Sequence, residues 1–419
     1  MSVLKLAWKN IVSNPLNLIL SIILFGLGIG LISFLMLLNT QLSENFEKNL
    51  ADIDLVIGAK GSPLQMILCS MYHIDNPTGN ITVDEAKAFL NSGHPLLEIS
   101  VPLSLGDSYK RHRIVGTNDG ILELYNAQLD QGKIWAQDLD VTIGAGVARS
   151  TGLKIGDSFK SSHGFDDDAD LAHDHSAFNV VGILKPSGSV VDQLILTNPS
   201  TVWAVHDHAA EDHAGHDHVH HTPPVRSNEE LLQHPDKDIT SLLIKYKDKT
   251  NYRTLSLPRA INEHTDMQAA SPPYEINKLY SLIGVGTDAI RWLAILIAFV
   301  SAISIFISLY KSMKERKYEL SLIRVMGGSR AILFMLIVIE GIILSFIGFV
   351  VGMIISHGGM EIMSKFLQAS YRYDFTGWRV ISGDAWLFVG SIALGIVAAL
   401  IPAYQASYTD IHKALSEKN

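Results

Sequence analysis

Four apolar runs, residues 17–38, 291–309, 331–356 and 385–403, constrain this sequence more than any other feature. The hydrocarbon core of a bilayer is about 30 Å thick and takes about 20 residues of helix to cross. Backbone in lipid must satisfy its own hydrogen bonds, so runs of this length and polarity are expected to fold as spanning helices. At 419 residues and 47% hydrophobic content the chain is too apolar for an ordinary soluble domain. The prediction is a membrane protein of four transmembrane α-helices, with an α+β periplasmic domain (residues 39–290) inserted between spans 1 and 2.

Charge sets the orientation. Residues 308–331, SLYKSMKERKYELSLIRVMGGSRA, carry six Lys/Arg and two Glu between two apolar runs. Positive charge in a short loop beside a span marks the cytoplasmic side, which makes residues 310–330 a cytoplasmic segment. Lys5 and Lys9 place the N-terminal helix, residues 1–16, on the same side or at its interface. Residues 357–384 then form a short periplasmic loop, and residues 404–419 a cytoplasmic tail. A cleaved leader is considered for the first run and set aside. The run is longer than a usual leader core, no small-residue cleavage site follows it, and NTQLSENFEKNL continues as an amphipathic helix. The expected location is the bacterial inner membrane, with both termini in the cytoplasm.

The outer segment alternates strand-like and helix-like patterns. DLVIGAK, EISVPLSL, RHRIVGT, VTIGAGVA, FNVVGILK and VVDQLILTN are rich in β-branched residues and bounded by Gly, Pro, Asn or Asp. ITVDEAKAFLNSG reads as a helix, with Thr82 as N-cap, Glu85 completing a capping box and Gly93 as terminator. A single cysteine, Cys69, permits no intramolecular disulfide, so this domain needs its own apolar core. The net charge of -9 argues against a nucleic-acid partner and leaves membrane lipids as the expected surroundings.

Two segments, residues 163–175 and 206–234, interrupt the pattern and hold eleven of the 17 histidines. Low in apolar residues and rich in Asp and His, both read as mobile loops. Neutral imidazole suits zinc, copper and nickel, and the interleaved Asp adds oxygen ligands. His173, His175, His206, His208, His213, His216, His218, His220 and His221 are therefore candidate ligands for zinc or another transition metal, in an adaptable site. The plainer reading is a solvated, pH-sensitive linker. No H-E-x-x-H occurs to suggest a zinc hydrolase, and no catalytic residue is assigned.

KERKYELSLIRVMGGSRAIL after the second run resembles the R-x-x-E-I-x-x-x-R-x-x-G-A-S signature of the MacB/FtsX-type permease family. GIVAALIPAYQASYTDIHKAL is similar to the family's closing motif, with Asp410 and Ile411 near where it tends to have Pro. IVGTNDGILELYNAQLDQGKIW, VARSTGLKIGDSF and FNVVGIL follow in the order of its periplasmic core. The resemblance implies a permease working as a dimer with a second copy or a paralogue. It also implies two copies of a separate ABC ATP-binding subunit and a periplasmic or outer-membrane partner. No G-x-x-x-x-G-K-[ST] occurs in this chain, so ATP would bind only to the partner subunit.

Within the charged segment, Lys314, Glu315, Arg316, Glu319 and Arg324 lie at helical spacings. Leu320 and Ile323 offer an apolar contact to a partner groove, and Gly327 begins the break that ends the helix. The plainer reading is a solvated loop that only fixes topology; the signature favours a coupling element. Glu340 lies in the third run, where a bare carboxylate costs about 3 kcal/mol. It is expected to bond to another helix and orient the bundle rather than to relay protons, with no second intramembrane acid nearby. Gly341, Gly348 and Gly352 mark close helix packing. The function so read is ATP-driven conformational work passed to the periplasmic domain, for export or extraction of a substrate linked to a transition metal. Two alternatives stay open, a regulator of a cell-envelope enzyme that moves no cargo and a metal-binding envelope receptor.

Overall fold

A computed structural model describes residues 3–12, 15–163, 172–211, 223–370 and 375–408. The chain divides into two compact units, one of Met1–Ser43 with Leu282–Asn419 and the other of Glu44–Ser281. The first carries four helices long and apolar enough to cross a membrane, and the second is an α/β domain between the first and second of them.

In the membrane unit an N-terminal helix (Val3–Val12) precedes the four span helices. These are Pro15–Leu50, Pro272–Glu315, Arg330–Ser370 and Ser382–Ser407. Each is longer than the apolar run that predicts it, because a helix does not stop where hydrocarbon ends. The excess is largest before the second run, where residues 272–290, expected in the outer domain, already belong to the helix, and it is marked after the third. Residues 357–370, expected in a loop, continue the helix, and Met360 is buried there with Leu37 and Phe375. The helices approach closely through glycines. A Cβ on Gly352 would lie 2.9 Å from Gly26 O, and one on Gly341 2.7 Å from Gly395 O. Small residues let the backbones meet, and dispersion between them supplies the attraction that apolar burial cannot supply in lipid.

The outer unit contains a ten-stranded sheet among the described residues. Its strands are β1 (Leu55–Ala59), β3 (Leu97–Tyr109), β4 (His112–Thr117), β5 (Leu129–Gly132), β6 (Asp140–Ile143), β7 (Ser158–His163), β8 (Ala172–Leu184), β9 (Ile195–Thr197), β11 (Ser241–Tyr246) and β12 (Met267–Ala270). The main order is β12-β1-β11-β3-β4-β9-β6-β8-β5, with β7 between β3 and β8; β2 (Ile81–Thr82) and β10 (Asp238–Ile239) form a small separate pair. Among the described strands only β4 with β9 and β6 with β8 run parallel. One core cluster centres on Leu55, Ile57, Leu242 and Ile244, and another on Ile114, Val141, Ile143 and Phe178.

Local chemistry explains most of these elements and also the departures. Thr82 and Glu85 form the reciprocal capping box of the helix Val83–Leu90. That helix ends at Leu90 because Asn91 turns extended (φ -66°, ψ 120°), not at Gly93. VTIGAGVA, expected as one strand, splits into β6 and the helix Ala145–Thr151. Gly144 makes the switch, since a Cβ there would sit 2.3 Å from Val191 O. VVDQLILTN likewise divides into a 3-10 turn (Val190–Gln193) and β9.

The histidine-rich segments depart from loops as well. β7 reaches His163 and β8 begins at Ala172, so His173 and His175 lie on strand backbone. Phe159 stacks on Phe178 at 5.5 Å and Tyr109 packs on Phe159 at 4.4 Å, an aromatic ladder of the kind that stabilises cross-strand pairing. His206 and His208 lie on the helix Pro199–Glu211, whose Val202, Trp203 and Val205 are buried. His213, His216, His218, His220 and His221 fall outside the described residues, as do Asp410 and Ile411. Residues 223–234 include a short helix (Asn228–Leu231) closed by a Ser227–Glu230 capping box.

Candidate functional site

The connector between the second and third spans is a helix of its own, Lys317–Val325. The second-span helix stops at Glu315, and Arg316 breaks the run with φ -105° and ψ 16°. At the other end Gly327 takes φ +94°. Its N–H donates to Arg324 O (3.1 Å) and that of Gly328 to Ile323 O (2.9 Å). These two bonds make a Schellman closure, which a side chain at Gly327 would strain.

One face of this helix is committed to the membrane unit. Leu320 is buried with Ala7, Leu333, Leu336 and Ala403, and Ile323 packs on the same cluster. The apolar contact expected of Leu320 with a partner is therefore made within the chain. Arg324 leans toward Ser407 O at 3.4 Å, against the carbonyl end of the fourth-span helix. A cation is favoured there by the helix dipole.

The opposite face is open. Tyr318, Leu322, Val325 and Met326 are exposed, Met326 at 80%, and Glu319 is exposed beside them. Their spacing follows the i, i+4, i+7 rule for one side of a helix. Sequence reading passed over them because Leu320 and Ile323 satisfy the same periodicity on the inward side. Lys314 and Glu315, also exposed, end the preceding helix; Lys314 sits 4.8 Å from the centre of the Tyr310 ring.

Arg316 turns inward and does not join the exposed charges. Its Nη1 lies 3.8 Å from Glu340 Oε1, and its Nη2 donates to the carbonyl of Asn10. Asn10 Nδ2 donates to the same Glu340 Oε1 at 2.8 Å. Glu340, 2% exposed, thus joins the N-terminal helix, the third span and the start of the connector. A second buried acid exists, but away from Glu340. Asp384 accepts from Ser33 Oγ at 3.2 Å, and the His357 ring lies 3.9 Å from it. Ser356 Oγ donates to Ser33 at 3.0 Å and completes this polar cluster across the first, third and fourth spans.

No group of three or more His, Cys, Asp or Glu suited to a metal ion occurs among the described residues. The connector is a short helix packed on the chain's own core on one side and exposed on the other.

Residues 292–411 match the FtsX-like permease C-terminal family. No curated protein sequence matches the chain. Among solved structures, the periplasmic region of MacB from Actinobacillus actinomycetemcomitans is similar at 10% identity and a TM-score of 0.33, over 56% of this chain and 97% of that one. The extracellular domain of the noncanonical ABC-type transporter YknZ from Gram-positive bacteria is similar at 12% identity and a TM-score of 0.28, over 52% of this chain and 99% of that one.

Proposed function

Since residues 292–411 match the FtsX-like permease C-terminal family, we propose that the chain is the membrane subunit of an ABC complex that passes the work of a separate ATPase to the outer domain. Two permease chains and two ATPase copies make up the complex, in a bacterial inner membrane with the connector in the cytoplasm. The observation that carries this reading is the two-sided connector helix. A lever needs one face fixed to the body it moves and another face for the part that pushes. Leu320, Ile323 and Arg324 supply the first, and Tyr318, Glu319, Leu322, Val325 and Met326 the second.

Glu319→Lys and Met326→Glu are the informative variants, because both side chains are exposed and neither holds the chain's own fold. Each is expected to weaken co-purification of the ATPase about tenfold, consistent with losing one helix-in-groove contact. Insertion in the membrane should be unaffected. Normal assembly and normal ATPase stimulation in both variants would reduce the connector to a topology signal. Arg316→Glu does not discriminate, because it sets two carboxylates against each other beside Glu340 and disturbs the bundle itself.

The cargo or its regulation involves a transition metal, zinc in the first instance. The support is chemical: HDHAAEDHAGHDHVHH concentrates imidazole and carboxylate within sixteen residues. Imidazole coordinates in its neutral form, so zinc uptake by the full chain should be present at neutral pH and fall toward pH 5. Replacing the tract's seven histidines by Asn is the cleaner test, since deleting residues 206–221 would also cut the end of the helix Pro199–Glu211. Equal zinc uptake by the two proteins in titration calorimetry would remove the tract as the site.

A further inference from the structure

The N-terminal helix has two apolar faces. Ala7 and Ile11 are buried in the bundle, whereas Leu4, Trp8 and Val12 are exposed, with Lys5 and Lys9 exposed between them. Beside the outer face lies a groove of about 900 Å³, formed with the third- and fourth-span helices. Leu4, Trp8, Phe346, Phe388 and Val389 line it, and Lys5 is its one charged residue among those lining it. Phe346 and Phe388 meet edge to face at 6.3 Å.

We propose that this groove is a binding site for a bilayer phospholipid with an anionic headgroup, its acyl chain along the aromatic wall and its phosphate at Lys5. The reasoning needs only the membrane spans and does not rest on the coupling role of the connector. Both span helices are apolar enough to cross a membrane, so the solvent at their surface is lipid. A flat helix surface would take lipids without preference. This one is concave, walled by three helices, and has the exposed cation of Lys5 in its lining. An interfacial helix bearing Lys and Trp is the setting in which a phosphate and an acyl chain are met together. One lysine near the membrane surface is worth about fivefold in preference for an anionic over a zwitterionic lipid. The site also has a consequence for the neighbouring triad, since Asn10, on the same helix, holds Glu340 and Arg316. A lipid seated beneath the helix would hold that triad closed.

Trp8 provides the probe. The full chain is reconstituted in phosphatidylcholine vesicles with increasing phosphatidylglycerol, and either lipid carries dibrominated acyl chains that quench indole on contact. Subtracting the signal of Trp8→Phe isolates Trp8 from the other five tryptophans. Brominated phosphatidylglycerol should quench this component saturably, at a mole fraction about fivefold below that required of phosphatidylcholine. Lys5→Gln should abolish the difference and Lys5→Arg should keep it. Val389→Phe, which narrows the groove without touching charge, should lower the saturable amplitude. Equal quenching curves for the two lipids, or an unchanged curve in Lys5→Gln and Val389→Phe, would overturn the proposal. So would protection of Trp8 from both lipids together with cross-linking between two Val389→Cys chains, which would make a second copy the occupant.

Discussion

A carboxylate that is 2% exposed in the third span is tolerated only because of what meets it. Glu340 takes one hydrogen bond from Asn10 and the guanidinium of Arg316 at 3.8 Å. Removing one member of such a pair leaves the other charge buried and uncompensated, at a cost of about 3 kcal/mol, whereas replacing both by apolar groups is often neutral. Arg316→Met alone should therefore lower the melting temperature of the detergent-solubilised chain, and Arg316→Met with Glu340→Met should recover most of it. Failure of the double variant to recover would mean that the triad holds more than its own charges. A second residue-scale expectation concerns His73, which burial first and the Arg113 charge second push down to about 3. Its folded value lies below the unfolded 6.5, so the fold keeps it neutral. The unfolded state alone takes up the proton between these values, and stability is complete above about pH 6.5 and lost as pH falls below it. Hydrogen exchange of the outer unit should show protection falling between pH 6.5 and 4.5, and His73→Asn should flatten that slope. Asn suits the position because His73 has φ +52°, where Asn is less strained than most residues. The sequence announced that Glu340 needed a donor. It could not say that the donor was Asn10, 330 residues away, or that Arg316 belonged with them and not with the exposed charges.

Among the elements, the four spans and the capping-box helix were legible because their signals are local. Length and polarity decide a span, and three residues decide a cap. Where the reading went astray, the deciding contact was distant. VTIGAGVA has β-branched residues enough for a strand, yet its second half is helical because Val191 O leaves room only for a glycine at position 144. The connector shows the same limit. Its periodicity gives two overlapping apolar faces, and only the packing of Leu320 on Ala7 and Ala403 tells which is inward. Its length, by contrast, is written in the Gly327-Gly328 pair. Gly327→Ala meets no steric neighbour, because a Cβ there would have nothing within 4 Å, but it must adopt φ +94°. The cost is about 1 kcal/mol, and it falls on the Schellman bonds to Arg324 and Ile323. Amide exchange over residues 317–326 should accelerate several-fold in this variant while that of the third span is unchanged. If exchange there is unaltered, the end of the connector is held by its partner contacts and not by the turn.

At the scale of the molecule, an even number of spans returns the chain to the side on which it began. With the four candidate spans, the proposed topology puts the N-terminal helix, the connector and the end of the fourth span on one side of the membrane and the outer domain on the other. The charge distribution gives that geometry a direction. Lys5, Lys9 and the six Lys/Arg of residues 308–331 flank the spans on the first side, against Lys365, Arg372 and Arg379 in residues 357–384. Basic residues near span ends stay in the cytoplasm, whereas a large folded domain crosses largely regardless of its own charge. The net -9 of the chain is therefore no obstacle to placing the outer domain outside. Tags inserted at Ser43 and at Asn228 should be reached by a membrane-impermeant label from the periplasm only, and a tag after Asn419 from the cytoplasm only. Reversing Lys5 and Lys9 to Glu tests the cause, because the first span would lose its retaining charge while the connector kept its own. The expected result is a mixed population in which the first span alone is misplaced. Cytoplasmic labelling at Asn228 in the unaltered chain would invert the whole assignment and with it the side from which any ATPase could reach the connector.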